Sequence, residues 1–117
     1  MSQESVSEIQ IFLVRFIANH RRMEPRNVGL IVRTAADELH IRFLGEDERT
    51  SFQPRGFDLR EFADVVGKWR ETFDKYGIKA LKWVGKRKPG DTYYIEFAHG
   101  EMVSGFDFDK LFGELVL

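Results

Sequence analysis

The chain has 117 residues, no cysteine, and a net charge of −1 that comes from 18 basic and 19 acidic side chains. This length predicts a single domain over residues 1–117, with 1–7 frayed because they are polar. The lack of cysteine excludes disulfides and thiolate metal sites and fits a cytoplasmic protein. The balanced charge argues against a general affinity for nucleic acid or anionic lipid. With neither a long apolar run nor a signal peptide at the polar start, no membrane association is expected.

Three β-strands are predicted in the first 44 residues. Residues 8–18 are β-branched or aromatic and apolar on both faces, which is typical of a central strand. Residues 27–34 and 38–44 form the second and third strands, and the short polar link between them predicts a hairpin. Arg15 interrupts the first strand, and a cation in that position needs a partner because its desolvation is costly.

The clearest helix is predicted from Asp58 to about Tyr76. Asp58 is a good N-cap, and Phe57 and Phe62 flank it as a hydrophobic staple would. Gly77 suits the left-handed residue that ends a helix. The apolar stripe predicts packing against the sheet rather than a binding groove, and it consists of Leu59, Phe62, Val66, Trp69, Phe73 and Tyr76.

The last third of the chain predicts two or three more strands and a short helix. Residues 78–84 and 92–98 are taken as strands, and His99-Gly100 as a hairpin turn into a strand at 101–106. Asp107 or Asp109 caps the final helix. The expected fold is α+β, a mostly antiparallel sheet of five to six strands with one long and one short C-terminal helix packed on one face. The last strand leaves a sheet edge through which a homodimer could form.

Sequence motifs for catalysis or for cofactor binding are missing. The chain contains no phosphate-binding glycine loop and no cysteine nucleophile, and its three histidines lack the spacing of metal ligands. No cofactor and no metal is therefore predicted. Whether the protein is an enzyme stays open, and the residues favour a protein that is not one.

The segment "HRRMEPRNVG", residues 20–29, is the predicted working surface. Glu24 is its single acid, and we expect it to pair with Arg15 or Arg22 and to order the segment. The amide of Asn27 is expected to bond the loop backbone. Gly29 stands inside a strand, where glycine marks a bulge or a close approach by another group.

These residues predict a non-enzymatic binding or regulatory module that engages a protein partner through residues 19–29. In this interpretation most of the residues order the loop, and Arg21 and Arg26 are free to contact the partner. The predicted binding residues are Arg15, Arg21, Arg22, Glu24, Arg26, Asn27 and Gly29.

Two alternatives remain open at this point. Residues 68–90 carry eight basic and two acidic side chains, which favours a nucleic-acid-binding domain that uses segment 82–88, with Tyr93 and Tyr94 close enough to stack on bases. Its cations are Lys82, Lys86, Arg87 and Lys88, and we expect them at the opposite end of the sheet from segment 19–29. A phosphate or enzyme site built on Arg15, Arg22 and Glu24 is the other alternative.

The stretch "FLVRFIANHRRMEPRNVGLIV", residues 12–32, resembles the opening of a bacterial family, the domain-of-unknown-function family 3037. The shared features are Val14-Arg15-Phe16, Arg22, Glu24 and Asn27-Val28-Gly29 in the same spacing. The ending "DKLFGELVL" is similar to the closing helix of that family. The resemblance implies no established activity. Because such members are often encoded beside HipA-like proteins, it implies a protein partner of that kind, a toxin component.

Overall fold

A computed structural model gives the structure of residues 6–17, 25–45, 57–84 and 91–116. The elements in chain order are β1 (Ser7–Ile17), β2 (Pro25–Arg33), β3 (Leu39–Phe43), α1 (Leu59–Tyr76), a 3-10 helix (Gly77–Ala80), α2 (Leu81–Val84), β4 (Tyr93–Val103) and α3 (Phe108–Leu115). The α+β class with an antiparallel sheet, one long helix and one short C-terminal helix is confirmed.

The sheet has four strands in the order β3-β2-β1-β4, and all neighbours are antiparallel. β1 lies between β2 and β4, so the prediction of a central first strand is confirmed. The hairpin between β2 and β3 is also confirmed. Its turn is closed by hydrogen bonds from the Thr34 N–H to the Glu38 carbonyl and from the Asp37 N–H to the Thr34 carbonyl. Asp37 has φ of 62°, a conformation that Asp tolerates in turns.

The strand count of five to six is wrong, because residues 78–84 are helical. They form the 3-10 helix and α2 directly after α1. The Leu81 N–H bonds to the carbonyls of Ile78 and Lys79, so the backbone of this segment is satisfied locally and needs no partner strand. Ala80 is buried at the centre of the turn.

The predicted turn at His99-Gly100 is also wrong, since β4 runs without interruption from Tyr93 to Val103. A register shift against β1 absorbs Ala98, so that Phe97 pairs with Phe12 and His99 with Ile11. Such a bulge bends a strand without ending it. Residues 101–106 therefore supply no separate strand, and β4 as a whole is an edge strand of the described sheet. A homodimer through that edge stays a prediction.

The long helix begins and ends where the sequence predicts. The Asp58 side chain accepts hydrogen bonds from the N–H groups of Arg60 and Glu61, which satisfies donors that a helix start leaves open. The rings of Phe57 and Phe62 lie 5.1 Å apart across this cap. At the other end, Gly77 has φ of 57° and donates its N–H to the Phe73 carbonyl.

The two main helices cover opposite faces of the sheet, so the expectation of one helical face is wrong. Successive residues of a strand point to opposite faces. The Phe43 ring stacks 5.7 Å from Trp69 of α1, whereas the Arg42 guanidinium lies 5.1 Å from the Phe112 ring of α3. The physical reason lies in β2, where the consecutive residues Leu30, Ile31 and Val32 are all fully buried. A strand that is apolar on both faces must be covered on both.

Candidate functional site

The candidate site lies at one end of the sheet, which we call the loop end. Here β1 and β3 finish while β2 and β4 begin, as shown by hydrogen bonds from the Ile17 N–H to the Thr92 carbonyl and from the Leu44 N–H to the Val28 carbonyl. Segments 18–24, 46–56 and 85–90 lie outside the described residues, and the described residues Ile17, Pro25, Gly45 and Asp91 that adjoin them lie at or next to this end. Segment 85–90 leads into β4 here, whereas Lys82 follows α1 next to Trp83, whose ring contacts Tyr76 at the end of α1; the placement of Lys86, Arg87 and Lys88 stays a prediction.

Arg15 has the partner that its position in a central strand requires. Its Nη1 donates to Oε1 of Glu96 at 2.7 Å. Glu96 pairs with Leu13 in the β1–β4 register, which puts it on the same face as Arg15 and one diagonal step away. The expected partner was Glu24, which lies outside the described residues. The ion pair is only partly buried, with the Arg15 side chain 23 % exposed, so its net contribution to stability is modest.

Asn27 ties the start of β2 to the C-terminal helix. Its Nδ2 donates to the Leu115 carbonyl at 2.8 Å. The last carbonyls of a helix have no partner within the helix, so this bond satisfies one of them. The prediction that Asn27 bonds the loop backbone is wrong, because its amide is used by a residue 88 positions later.

Arg15 and Asn27 are cross-strand neighbours on the face that α3 covers. Each keeps one buried polar atom without a hydrogen bond, namely the donor Nε of Arg15 and the acceptor Oδ1 of Asn27. A water molecule or a small polar group could bridge such a donor and acceptor. The structure therefore brings together two of the predicted residues in a polar cluster at the loop end.

Gly29 is explained by close packing. A Cβ atom at this position would lie 2.9 Å from Cβ and Cγ2 of Val14 and 3.0 Å from the Arg42 carbonyl oxygen. The β1–β2 register also shifts between Val14 and Arg15, so both the bulge and the close approach expected of this glycine are confirmed.

Arg26 differs from its neighbours because it is exposed. It pairs with Phe16 in the register, which directs it away from the face that holds Arg15 and Asn27. It forms no ion pair with the described residues. Arg21, Arg22 and Glu24 lie outside the described residues, so the structure neither adds them to the cluster nor removes them.

The structure also bears on the predicted nucleic-acid-binding segment 82–88 and on the two tyrosines that follow it. Lys82 is exposed on α2, whereas Lys86, Arg87 and Lys88 lie outside the described residues. Tyr93 cannot serve as a platform for bases, because its ring stacks 5.3 Å from Phe16 and packs against Phe57 and Phe62. Tyr94 is only 6 % exposed. The expectation of base stacking on these two tyrosines is therefore wrong.

Burial also changes the chemistry of Tyr93. Desolvation raises its pKa to about 12, and the charges of Glu61 and Asp58 act in the same direction. The hydroxyl group therefore stays neutral to a higher pH than a free tyrosine.

Among the described residues, no three His, Cys, Asp or Glu side chains lie close enough to hold a metal ion. No helix in the described ranges is both long enough and apolar enough to cross a membrane.

Sequence reasoning missed Glu96 and the Leu115 carbonyl as partners of the cluster. The sequence carries a weak signal for the first, since Glu96 is the only acid in the apolar stretch 93–98. Nothing in the sequence signals the second, because any helix end offers free carbonyls.

The fold and the cluster define an α+β domain with a polar site at the loop end of its sheet. No protein-family model matches the chain, and no similar protein is found among curated sequences or among solved structures. The resemblance to family 3037 stays a prediction.

Proposed function

We propose that this chain is a non-enzymatic binding or regulatory module that engages a protein partner through segment 19–29. The observation that carries the proposal is the contrast at the base of that segment. Arg15 and Asn27 are held by Glu96 and by the Leu115 carbonyl, whereas Arg26, at the start of β2, is exposed and has no ion pair among the described residues.

This contrast separates two roles. Arg15 and Asn27 act as positioning residues, because they fix the strands from which the segment leaves and to which it returns. Gly29 belongs with them, since it lets β1 and β3 approach β2 closely. Segments that bind partners are commonly carried by such a rigid sheet.

Arg26 acts as a contact residue. Arginine is enriched among residues that dominate protein interfaces, because its planar guanidinium binds carboxylates and packs on aromatic rings. The resemblance to family 3037 makes a HipA-like toxin component the first partner to test.

Capture of the partner tests the proposal with a matched pair of variants. Arg26 and Arg33 lie at opposite ends of β2, and Arg33 binds Asp37 on the surface. We expect the tagged wild-type chain and the Arg33→Ala variant to capture the same protein in stoichiometric amount from the encoding organism, and the Arg26→Ala variant to lose it. Equal capture by both variants, or no captured protein at all, would refute the proposal.

A further inference from the structure

Two aromatic side chains are exposed together at the end of α1. Trp83 is 51 % exposed and Tyr76 is 42 % exposed. Their ring centroids lie 4.6 Å apart at an angle of 87°, an edge-to-face pair that fixes both rings. Aromatic rings held rigidly at a surface are a common component of ligand-binding sites.

The local fold explains why the two rings meet. Gly77 ends α1 in a left-handed conformation, and the 3-10 helix and α2 follow without a linker. Trp83 is thereby returned to the last residue of α1, seven positions earlier. Ala80, the residue in between, is fully buried and anchors the turn.

Three lysines lie within four residues of one of the two rings along the chain. Lys75, Lys79 and Lys82 are all exposed, and none of them forms an ion pair with a described residue. Lys75 Nζ lies 5.3 Å from the centroid of the Tyr76 ring, a cation–π contact. We call Tyr76, Trp83 and these three lysines the Trp83 patch.

Lys79 lies four residues before Trp83 within the helical stretch 77–84, a spacing that puts the two side chains on the same side of that stretch. Lys75 and Lys82 are the chain neighbours of Tyr76 and Trp83.

The nearest acidic residues do not cancel this charge. Asp74 is two residues from Tyr76 and lines a different surface, a groove shared with Phe73 and Ile78 beside β3. Glu71 is one helical turn before Lys75, and the two do not form an ion pair. The patch therefore offers positive charge around an open aromatic ring.

We propose that the Trp83 patch binds single-stranded nucleic acid, with a base stacked on the Trp83 ring and phosphates contacting Lys79 and Lys82. Single-stranded nucleic acid combines flat aromatic bases with an anionic backbone, and proteins bind it through stacking side chains in a basic surface. An acidic peptide would use the lysines and leave the ring pair unexplained. This activity is additional to the partner binding of segment 19–29 and does not depend on it.

The first test measures binding of the intact chain to a labelled oligothymidylate at low salt by fluorescence anisotropy. We expect the wild type to bind and Trp83→Ala to weaken binding about ten-fold or more, since one stacked base contributes on that scale. Trp83→Phe keeps an aromatic ring and should retain most of the affinity. Phe97→Ala removes another exposed aromatic side chain, on β4, and should leave binding unchanged.

The second test is the dependence of binding on salt. Each phosphate contact to a single strand steepens the slope of log K against log salt by about 0.7. Lys79→Ala and Lys82→Ala should each reduce the slope by about that amount. Lys110→Ala, an exposed lysine on α3, should not change it.

Three outcomes would overturn the proposal. One is a wild-type chain that does not bind the oligonucleotide at low salt. Another is equal binding by the wild type and Trp83→Ala, which would show that the oligonucleotide does not stack on Trp83 and binds cations elsewhere on the protein. The third is binding to anionic phospholipid vesicles without binding to the oligonucleotide, which would identify the patch as a membrane-binding surface.

Discussion

The loop end and the Trp83 patch use their polar residues in opposite ways. At the loop end, Arg15 and Asn27 are partly buried and bound to Glu96 and to a carbonyl of α3. In the Trp83 patch, the lysines and the ring pair are exposed, and the lysines form no ion pair with a described residue. Arg15 and Asn27 therefore hold the fold together, whereas the exposed side chains of the Trp83 patch face the solvent and are available to a ligand.

The largest expected effect is at Gly29, where this contrast predicts loss of stability. Gly29→Ala places a methyl group within 3.0 Å of Val14 and of the Arg42 carbonyl, so we expect the free energy of unfolding to fall by about 1–3 kcal/mol in chemical denaturation. Gly67→Ala is the matched control on α1, because its added methyl group meets nothing within 4 Å. We expect that control to raise stability by about 0.5–1 kcal/mol. Similar effects at both glycines would show that Gly29 is not held by packing.

The next effect concerns Asn27 as a structural link. Asn27→Ala removes the bond to the Leu115 carbonyl and should lower the free energy of unfolding by about 1–2 kcal/mol. Amide hydrogen exchange should show the loss first in α3. Arg26→Ala, at the neighbouring position, should change stability by less than about 0.5 kcal/mol. If Asn27→Ala is equally mild, then the link to α3 is not formed in solution.

Tyr93 makes the stability of the fold depend on pH. Its pKa is raised from 10.0 to about 12 in the folded state. Below pH 10 both states hold the proton and stability is unaffected, whereas between pH 10 and 12 only the unfolded state releases it. Stability must then fall as pH rises, by at most about 1.4 kcal/mol at pH 11.

The matched variant for this effect is Tyr93→Phe, which keeps the ring and removes the hydroxyl group. The difference in unfolding free energy between the wild type and this variant should be constant below pH 10. Above pH 10 the wild type should become progressively less stable than it is at lower pH, relative to the variant. A difference that stays constant up to pH 12 would show that the Tyr93 hydroxyl is solvated.

The smallest expected effect on stability is at Trp83. Because its ring is half exposed but packs edge-to-face on Tyr76, we expect Trp83→Ala to lower the free energy of unfolding by at most about 1 kcal/mol while it abolishes most oligonucleotide binding. Trp69→Ala is the contrast, since Trp69 stacks on Phe43 beneath α1, and its loss should cost several times more. Comparable losses of stability at both positions would contradict the assignment of Trp83 to a free surface.

How far sequence reasoning succeeded depended on the distance over which each contact acts. The cap at Asp58, the staple of Phe57 on Phe62 and the stop at Gly77 were all predicted correctly. The Asp107 cap of α3 was among the predicted alternatives and is confirmed. Each of these features depends on residues within one helical turn of each other.

The errors arose where distant residues decide the outcome. The segment 78–84 has apolar residues compatible with either a strand or a helix, and in the described fold it forms the 3-10 helix and α2 rather than a fifth strand. The partner of Arg15 proved to be Glu96, 81 positions away, and sequence alone could not name it because strand order sets which acids come near.

The sequence by itself determined the α+β class, the central position of β1, the hairpin and the limits of α1, because periodicity, caps and turns are local properties of the chain. Only the tertiary structure decided which face each helix covers, which groups Arg15 and Asn27 bind, and that Tyr76 and Trp83 meet. The helix faces and the bonds of Arg15 and Asn27 join residues far apart in the chain, because buried polar groups require partners and a sheet that is apolar on both faces requires two covers. Tyr76 and Trp83 are only seven positions apart, and they meet because the chain turns at Gly77.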